Sequence, residues 1–395
     1  MSGKAAKSAL LAARQGPELN SRGRDLAARL IGLGYSVEFI AQVDSAENAS
    51  CPFGARLHTV VSGLSLHQRS RFHLTGLTDW LRANWIALRS FFRVNPGLVV
   101  VCDLGFMPLL LVARLTRRGL VYAPHEVWWG MSGYSAPLRG VIALCERSAI
   151  LASNLVLMTS DERATLVGER LRVSRSEMLV YPNYPVQRAS DSSSPMDSVG
   201  ASLQQWKAGR DPDSLMLMFQ GGLEEHRGIE TLCQLAESWS SVTVVIQGDG
   251  PLSEYVDHHA SHNLVRWPRC QPELTSMYLA AADVSFVYYL GVDLNSRWAA
   301  SSKFYTSIFA GVPVLANRLD AFSAFSQRFG AVLFFEDLSV AGLQNVLECL
   351  LRSKAALAHL QAEARGAAVL LREDQRTKMA ALDSALEKLV SNLEA

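Results

Sequence analysis

The sequence predicts an α/β protein made of two Rossmann-like domains that face a cleft. Three observations support this fold class. The 395 residues are too many for one ordinary domain and suit two. Short apolar runs alternate with longer amphipathic stretches, which is the pattern of βα units around a parallel sheet. The alternation stops at a polar segment near the middle of the chain and then starts again.

The first domain is predicted over residues 1–185. Its first strand, at 8–13, leads through a loop to a helix at 23–33, and Gly34 with Tyr35 ends that helix. Five further apolar runs predict strands at residues 36–41, 98–102, 120–123, 154–158 and 179–181.

The second domain is predicted over residues 214–365. Residues 186–213 are rich in polar residues and poor in apolar ones, which predicts a linker. The strands predicted after it are 215–220, 242–247, 264–267, 284–288, 312–316 and 331–334, with helices at 228–238, 273–281 and 302–309. Residues 366–395 predict a C-terminal helical segment that could pack on either domain.

The composition is that of a globular protein, with 49% hydrophobic and 19% charged residues. Residues 1–189 hold 22 basic and 13 acidic residues, whereas the remainder holds 16 basic and 24 acidic ones. This asymmetry indicates that the first half prefers an anionic partner. The sequence contains no recognisable nucleic-acid module.

The cysteines and the apolar runs exclude several classes of protein. Six cysteines are scattered without a CxxC pair, so neither a disulfide framework nor a metal site is predicted. No apolar run approaches the roughly 18–20 residues of a membrane-spanning helix. The chain is therefore predicted to be cytoplasmic, either free or peripheral at the inner face of the cell membrane.

The strongest signal for a binding site follows the predicted strand at 215–220. Gly221 and Gly222 permit a tight turn, and Arg227 stands at the start of the next predicted helix. Unpaired helix N–H groups together with a cation favour an anion. The alternative interpretation is an ordinary turn with a solvated arginine.

A second glycine pair follows the next strand of the same domain. Gly248 and Gly250 come after the strand at 242–247, at an edge where open parallel sheets bind ligands. The pair lacks the GxGxxG continuation of a dinucleotide site, so by itself it is a weak signal.

Lys303 is predicted in the first turn of the helix at 302–309, with Ser301 or Ser302 as the N-cap. A cation at this end of a helix opposes the helix dipole. An anionic ligand would explain it, and a surface lysine is the alternative.

Five motifs in one order resemble the donor domain of family-four retaining glycosyltransferases. The resemblance covers about 214–320, and more loosely it includes Tyr181-Pro182-Asn183 and His125-Glu126. The motifs lie at residues 221–228, 248–251, 263–267, 273–284 and 310–317. The resemblance implies a GT-B fold and transfer of a sugar from a nucleotide-sugar donor.

The resemblance also implies roles for individual residues. Arg227 and Lys303 would hold the donor diphosphate, and two fixed cations would stabilise the departing charge without a metal. Gly221, Gly222, Gly248, Gly250 and the loop after Trp267 would lie close to the nucleotide, and the Gly16 loop would approach the phosphates. No cofactor is implied, because the nucleotide-sugar is a co-substrate.

The sequence departs from the family pattern at two positions. Where the family carries two glutamates eight positions apart, this chain has Trp298 and Thr306. The second glutamate contacts the donor ribose in the family, and a threonine hydroxyl cannot accept the same pair of hydrogen bonds. The donor and the activity both depend on what Thr306 does instead.

Three ionisable residues follow predicted strands of the first domain. His125 and Glu126 come after the strand at 120–123, and Asp103 ends the one at 98–102. His125 is predicted to contact the donor sugar or stabilise charge near the reacting carbon, with a structural histidine as the alternative. An inverting reaction would need a catalytic base, and each of these three residues is a candidate for it. The resemblance to family four favours retention instead.

Residues 67–95 interleave arginines with aromatic residues. Basic and aromatic side chains on amphipathic helices suit the surface of an anionic bilayer. The alternative places the aromatics in the domain core. The residues concerned are Arg69, Arg71, Arg82, Arg89 and Arg93 with Phe72, Trp80, Trp85, Phe91 and Phe92.

The sequence thus predicts a GT-B glycosyltransferase that is metal-independent and uses a nucleotide-sugar, with a UDP-sugar favoured. Its predicted acceptor is a glycan or a lipid-linked glycan, in the assembly of a surface polysaccharide or glycolipid. Two alternatives stay open. One is a nucleotide-sugar epimerase on the same fold, and the other is a non-catalytic binding partner that has lost its acidic residues.

Overall fold

The computed structural model describes residues 7–14, 20–43, 54–61, 74–185, 203, 213–270 and 274–394. The chain divides into two compact units. Unit 1 comprises Met1–Asn183, Asp293–Asn295 and Arg376–Ala395, and unit 2 comprises Tyr184–Val292 and Ser296–Gln375. Most of the predicted linker at 186–213, and Gly16 with its loop, lie outside the described residues.

Unit 1 is built on a parallel sheet with helices on both faces. Its strands are β1 (Ser8–Ala13), β2 (Ser36–Val43), β3 (Arg56–Val61), β4 (Leu98–Val101), β5 (Gly119–Tyr122), β6 (Leu155–Met158) and β7 (Met178–Val180). Their order in the sheet is β3-β2-β1-β4-β5-β6-β7, and every neighbouring pair is parallel. The helices are α1 (Ser21–Gly32), α2 (Leu74–Val94), α3 (Met107–Leu115), α4 (Ala136–Ala152) and α5 (Asp161–Leu171).

Unit 2 repeats this organisation. Its strands are β8 (Leu215–Gln220), β9 (Val242–Gln247), β10 (Leu264–Trp267), β11 (Val284–Val287), β12 (Val314–Asn317) and β13 (Val332–Phe335), in the parallel order β10-β9-β8-β11-β12-β13. The helices after β8 along the chain are α6 (Ile229–Ser238), α7 (Ser253–His258), α8 (Thr275–Ala280), α9 (Leu294–Arg297), α10 (Ser302–Phe309), α11 (Asp320–Phe329), α12 (Val340–Arg352) and α13 (Lys354–Glu394), and α9 and α13 each include residues of unit 1.

The α/β fold class predicted from the sequence is confirmed, because both sheets are parallel and carry helices. β1 shows why the apolar runs were informative. Ala9 to Ala13 are all fully buried, since a parallel strand covered on both faces needs apolar side chains on both sides.

The sheet order reverses once in each unit. β1 pairs with both β2 and β4, and β8 pairs with both β9 and β11. In open α/β sheets, ligands bind outside the carboxyl ends of the strands at such a reversal. The loops after β1 and β4 in unit 1 and after β8 and β11 in unit 2 are therefore where a site is expected.

β3 was not predicted from the sequence. It is an edge strand that pairs only with β2 among the described strands, so it needs no continuous apolar run. Its His58 and the neighbouring Glu38 of β2 are 2.8 Å apart, and Arg93 of α2 donates to the same Glu38 carboxylate. Because these side chains are polar, the segment lacks the continuous apolar run from which the other strands were predicted.

The C-terminal helix α13 runs unbroken for 41 residues. Ala364, Ala367 and Leu371 pack in the core of unit 2, whereas Leu382 and Leu386 pack against α1 and the sheet in unit 1. Within unit 1 the helix is also tied by an ion pair between Arg29 and Asp383. The residues at 366–395, predicted as a segment of their own, are thus shared between the two units.

α2 divides its aromatic residues between core and solvent. Phe91 is 2% exposed and belongs to the core, whereas Trp85 and Phe92 are 68% and 70% exposed. The interpretation of these aromatics as core therefore holds for Phe91 and is wrong for Trp80, Trp85 and Phe92. Arg69, Arg71 and Phe72 lie outside the described residues. None of the helices in the described part of the chain is long and apolar enough to cross a membrane.

Candidate functional site

Two glycine-containing loops meet at the carboxyl ends of β8 and β9 in unit 2. The Gly221 N–H donates to the Gln247 carbonyl over 3.0 Å, and the Leu223 N–H donates to the Asp249 carbonyl over 3.2 Å. Gly221 and Gly248 have φ angles of +144° and +142°, which L side chains rarely adopt. A Cβ on Gly248 would also overlap the Gly221 carbonyl oxygen. Both positions therefore require glycine.

The other two predicted glycines differ from each other. A Cβ on Gly250 would approach the Leu223 carbonyl oxygen to 2.6 Å, which is too close. A Cβ on Gly222 would meet nothing nearer than the Glu224 carboxylate at 3.6 Å. Close backbone packing thus explains Gly250, whereas Gly222 has no steric requirement for glycine.

Arg227 lies in a short 3₁₀ turn, Glu225–Arg227, immediately before α6. Gly228 separates the two elements in a left-handed conformation with φ of +76°. The Arg227 guanidinium lies 4.6 Å from the centre of the Tyr289 ring, and its Nε is 3.7 Å from a Glu224 carboxylate oxygen. A ring face and one carboxylate therefore orient this cation at the start of the helix.

Lys303 lies in the first turn of α10, as predicted. Ser301 is the N-cap, since its Oγ accepts the Phe304 N–H over 3.2 Å, and it also accepts a hydrogen bond from the Tyr289 hydroxyl over 3.0 Å. The partly buried Lys303 side chain lies across Gly221, where a Cβ would overlap its Cε. Lys303 therefore lies against the glycine turn that follows β8.

The electrostatic surroundings of Lys303 show that the two cations lie near each other. Burial lowers the pKa of Lys303, the charge of Arg227 lowers it further, and Tyr289 and Glu224 oppose these effects. Lys303 forms no ion pair within the described part of the chain. Arg227 and Lys303 thus have one carboxylate, that of Glu224, near both of them. This part of unit 2 therefore carries excess positive charge that an anion would neutralise.

His226 was not predicted as part of this cluster. Its Nε2 is 3.1 Å from the Glu224 carboxylate. The hydrogen bond from His226, followed by the charge of Arg227, lowers the pKa of Glu224, so this carboxylate is ionised at neutral pH.

Thr306 lies one turn after Lys303 on α10. Its hydroxyl donates to the Ser302 carbonyl over 2.7 Å, so the proton is used inside the helix. The hydroxyl oxygen can still accept a hydrogen bond, but Thr306 lacks the second oxygen with which a carboxylate accepts hydrogen bonds from two ribose hydroxyls. The departure from the family pattern at Thr306 is thus a real difference in hydrogen bonding.

In unit 1, Asp103 is buried directly after β4. One carboxylate oxygen accepts the Arg14 N–H over 2.8 Å, and the Arg14 guanidinium lies 4.8 Å from the centre of the Trp128 ring. Burial raises the pKa of Asp103 to about 6; Arg14 opposes the rise and Glu126 adds to it. The Asp103 carboxylate is therefore fixed in position by a hydrogen bond, and its raised pKa is close to the value that suits a general base at neutral pH.

His125 and Glu126 follow β5 with different surroundings. Burial lowers the pKa of His125 to about 3, and the charges of Arg22 and Arg163 lower it further, so the imidazole is neutral. Its Nε2 is buried and has no hydrogen-bond partner among the residues described. Glu126 is 44% exposed, with its carboxylate 3.5 Å from Arg163.

Glu146 of α4 is a further buried acid that the sequence did not single out. Burial raises its pKa to about 8, while Arg163 and Tyr122 oppose the rise. A glutamate on an amphipathic helix looks solvated in sequence, and only the packing of α4 shows that it is 1% exposed.

Comparison with solved structures identifies the architecture. The structure of sucrose-phosphate synthase from Thermosynechococcus elongatus is similar, with a TM-score of 0.65 and 15% sequence identity. The superposition covers 97% of this chain and 99% of the synthase chain. HepE of Anabaena, solved in complex with UDP-glucose, matches 95% of this chain with 99% of its own, at a TM-score of 0.63 and 13% identity. The chain has the GT-B fold.

The GT-B fold is common to proteins with different chemistry. A putative UDP-N-acetylglucosamine 2-epimerase from Listeria monocytogenes also matches, over 91% of both chains, with a TM-score of 0.57 and 11% identity. No protein-family model and no curated protein sequence matches the chain. Identities this low establish the fold alone, so the function has to be argued from the site.

Proposed function

We propose that this GT-B protein is a glycosyltransferase that takes its sugar from a nucleotide-sugar donor bound by unit 2. One observation carries the proposal: Arg227 and Lys303 lie together beside two glycine loops, with Glu224 as their neighbouring carboxylate. A nucleoside diphosphate would supply the negative charge that this cluster lacks.

The chemistry of sugar transfer explains why two cations are needed. When the bond between sugar and diphosphate breaks, negative charge grows on the leaving oxygen. Cations that are already in place stabilise this charge without reorganisation, and desolvation of Lys303 strengthens the effect. We propose that Arg227 and Lys303 act in this way and that the reaction needs no metal.

UDP is the donor nucleotide that we favour. HepE and a Phytolacca americana transferase, both similar in fold, were solved with UDP or UDP-sugars. We place Gly248 and Gly250 near the nucleotide because the resemblance implies it and because their loop lies at the carboxyl end of β9, packed against Gly221 and Leu223. Thr306 would accept one hydrogen bond from the donor in place of the family's glutamate.

We assign unit 1 to the acceptor side of the reaction. His125 is neutral, so it would donate or accept a hydrogen bond with the transferred sugar rather than supply a charge. We favour retention because of the resemblance to family four. If the reaction inverts, Asp103 is the better base, because Glu126 is ion-paired and exposed.

The setting that we propose is the assembly of a surface polysaccharide or glycolipid at the inner face of the cell membrane. A lipid-linked acceptor carries a pyrophosphate, and the basic excess of residues 1–189 suits such an anion. The acceptor can also be a glycan without a lipid.

Titration calorimetry with UDP, GDP and TDP tests the proposal. We expect one of the three to bind to the wild-type chain. Arg227→Ala and Lys303→Ala should each weaken that binding by about 1.5–3 kcal/mol, the usual value of a hydrogen bond to a charged group. Arg352→Ala is the matched control, because this arginine of unit 2 is 75% exposed and pairs with Glu348 on its own helix.

Different outcomes distinguish the alternatives. Absence of binding by all three nucleotides, or unchanged affinity in Arg227→Ala, would remove the donor site and favour a non-catalytic partner. Nucleotide binding followed by conversion of UDP-N-acetylglucosamine into its 2-epimer would identify an epimerase. Release of UDP only when an acceptor is added would support a transferase.

A further inference from the structure

The helices on one face of the unit 1 sheet expose large apolar side chains. α2, α3 and α4 pack their inner sides into the same core, and α3 contacts both of its neighbours. On their outer sides, six large apolar residues are each more than half exposed. These six are Leu81, Trp85 and Phe92 of α2, Leu115 of α3, and Val141 and Leu144 of α4, and we call their surface the helical face.

The spacing of these residues shows that they form stripes. Leu81, Trp85 and Phe92 follow at intervals of four and seven residues, which keeps them on one side of α2. Val141 and Leu144 are three apart on α4. Because the three helices are adjacent, the stripes combine into one apolar surface rather than scattered single residues.

The other face of the same sheet is different. It is covered by α1 and by the end of α13, whose Leu382 and Leu386 pack against it. Leu393, at 37%, is the one large apolar side chain described as exposed there. Exposure of apolar residues is therefore a property of the helical face and not of unit 1 in general.

The helical face is also basic. Arg82 and Arg89 of α2, Arg114 of α3, Arg117 and Arg139 are exposed, and none forms an ion pair within the described residues. The acidic residues on these helices are Asp79 and Glu146, and Glu146 is buried. Apolar stripes with unpaired arginines between them are typical of a surface that binds anionic lipid.

We propose that the helical face docks on the surface of an anionic lipid bilayer. Trp85, Phe92 and Leu115 would enter the boundary between headgroups and acyl chains, while the arginine stems extend their guanidinium groups to lipid phosphates. A second copy of this chain is a poor occupant, since a symmetric contact would bring arginines against arginines.

The helical face is connected to the acceptor side of the candidate site. On α2, the Trp80 indole N–H and the Asn84 amide both donate to the Gly105 carbonyl, over 2.6 Å and 2.9 Å. Gly105 lies in the 3₁₀ turn Leu104–Phe106, directly after Asp103. The biological role of this docking rests on the proposed function, because docking would hold Asp103 near lipid-linked acceptors. The structural evidence for the docking itself comes from unit 1 alone.

Vesicle flotation of the full chain tests the proposal. The probes are vesicles of phosphatidylcholine alone and vesicles of phosphatidylcholine mixed with phosphatidylglycerol. We expect binding to the mixed vesicles, weakened by added salt. The double variant Trp85→Ser with Phe92→Ser should lower the partition coefficient at least about tenfold, because two large apolar side chains no longer enter the membrane.

Matched variants separate the apolar and the charged contributions. Leu115→Ser with Val141→Ser is a second apolar pair for the case that the first does not fold. Arg82→Gln with Arg89→Gln should remove the preference for phosphatidylglycerol. Val369→Ser with Leu370→Ser is the control, since these residues of α13 are 63% and 59% exposed but lie in unit 2.

Each outcome decides the proposal. Loss of flotation in both apolar pairs with a wild-type control supports it. Absence of wild-type flotation, or full flotation of both apolar pairs, overturns it. A lipid-independent dimer that the Trp85→Ser, Phe92→Ser variant dissociates overturns it in favour of a second copy. UDP titration of the same variant should be unchanged, so a failed nucleotide site and a failed membrane site are told apart.

Discussion

The two units share a sheet topology but use their surfaces differently. In both, the strand order reverses once, and one residue of interest follows a strand at that reversal: Asp103 follows β4 and Arg227 follows β8. Unit 2 combines tight glycine loops with two cations beside one carboxylate, whereas unit 1 buries Asp103 and His125 with strongly shifted pKa values. Unit 1 also exposes an apolar face. The comparison shows that topology fixes where a site lies, and the loop residues decide what it binds.

The largest effect is expected from a Cβ placed in the glycine loops of unit 2, which have no counterpart among the described loops of unit 1 with shifted pKa values. Gly248→Ala should lower the stability of unit 2 by about 2–4 kcal/mol, because φ is +142° and the new atom would overlap the Gly221 carbonyl. Hydrogen exchange of amides in β9, followed by mass spectrometry, would report this locally. Gly222→Ala is the control and should change stability by less than about 0.5 kcal/mol.

The second prediction concerns the buried acid of unit 1. The pKa of Asp103 is raised from 3.8 to about 6, so the folded chain holds this proton more tightly than the unfolded chain. Stability is therefore lost as pH rises through this window and stays lower above it. Asp103→Asn keeps an acceptor for the Arg14 N–H and should stabilise unit 1 by about 1–3 kcal/mol near neutral pH.

The control for this variant is the same measurement in acid. At about pH 3.5, below both pKa values, Asp103 is mostly protonated in either state and most of the advantage of Asn should be lost. Thermal melts of both proteins at the two pH values provide the test. An advantage that is independent of pH would contradict the raised pKa.

The third prediction tests how Arg227 is held. Tyr289→Leu removes the ring next to the guanidinium and the hydroxyl that binds Ser301. UDP affinity should fall by about 1 kcal/mol, the size of a cation–π contact that is partly shielded from water. Tyr289→Phe keeps the ring and should lie between wild type and Tyr289→Leu; equal affinity in all three would show that Tyr289 does not position the cation.

The smallest effect is expected from Lys303→Arg. Because burial and Arg227 lower the pKa of Lys303, it loses its charge at a lower pH than an exposed lysine, and UDP affinity should fall as pH rises through that value. Arginine stays charged, so the affinity of the variant should not fall in the same range. Calorimetry across alkaline pH would show parallel curves for the two proteins if Lys303 does not contact the diphosphate.

Much of the fold could be predicted from apolar runs, because parallel strands covered on both faces must be apolar. The predicted strands at 8–13, 215–220, 242–247 and 264–267 agree with the structure to the residue. The predicted strand at 312–316 begins instead at Val314, since Pro313 cannot donate to the ladder. β3 was missed because an edge strand tolerates polar residues.

The candidate site was predictable only in part. Glycines and cations next to strand ends stand out in a sequence, so Arg227 and Lys303 could be singled out. Tyr289 and His226 could not, because their roles depend on side chains that contact Arg227 and Glu224 across loops. Gly222 matched a motif, yet its surroundings would accept a Cβ.

In the proposed reaction, Arg227 and Lys303 act together on one diphosphate. The most direct test of this joint action compares the affinities of UDP and uridine for the wild type and for the double variant Arg227→Ala, Lys303→Ala. We expect the wild type to bind UDP far more tightly than uridine and the double variant to lose nearly all of this difference, while binding of uridine itself is unchanged. A double variant that still prefers UDP to uridine by the wild-type factor would contradict it.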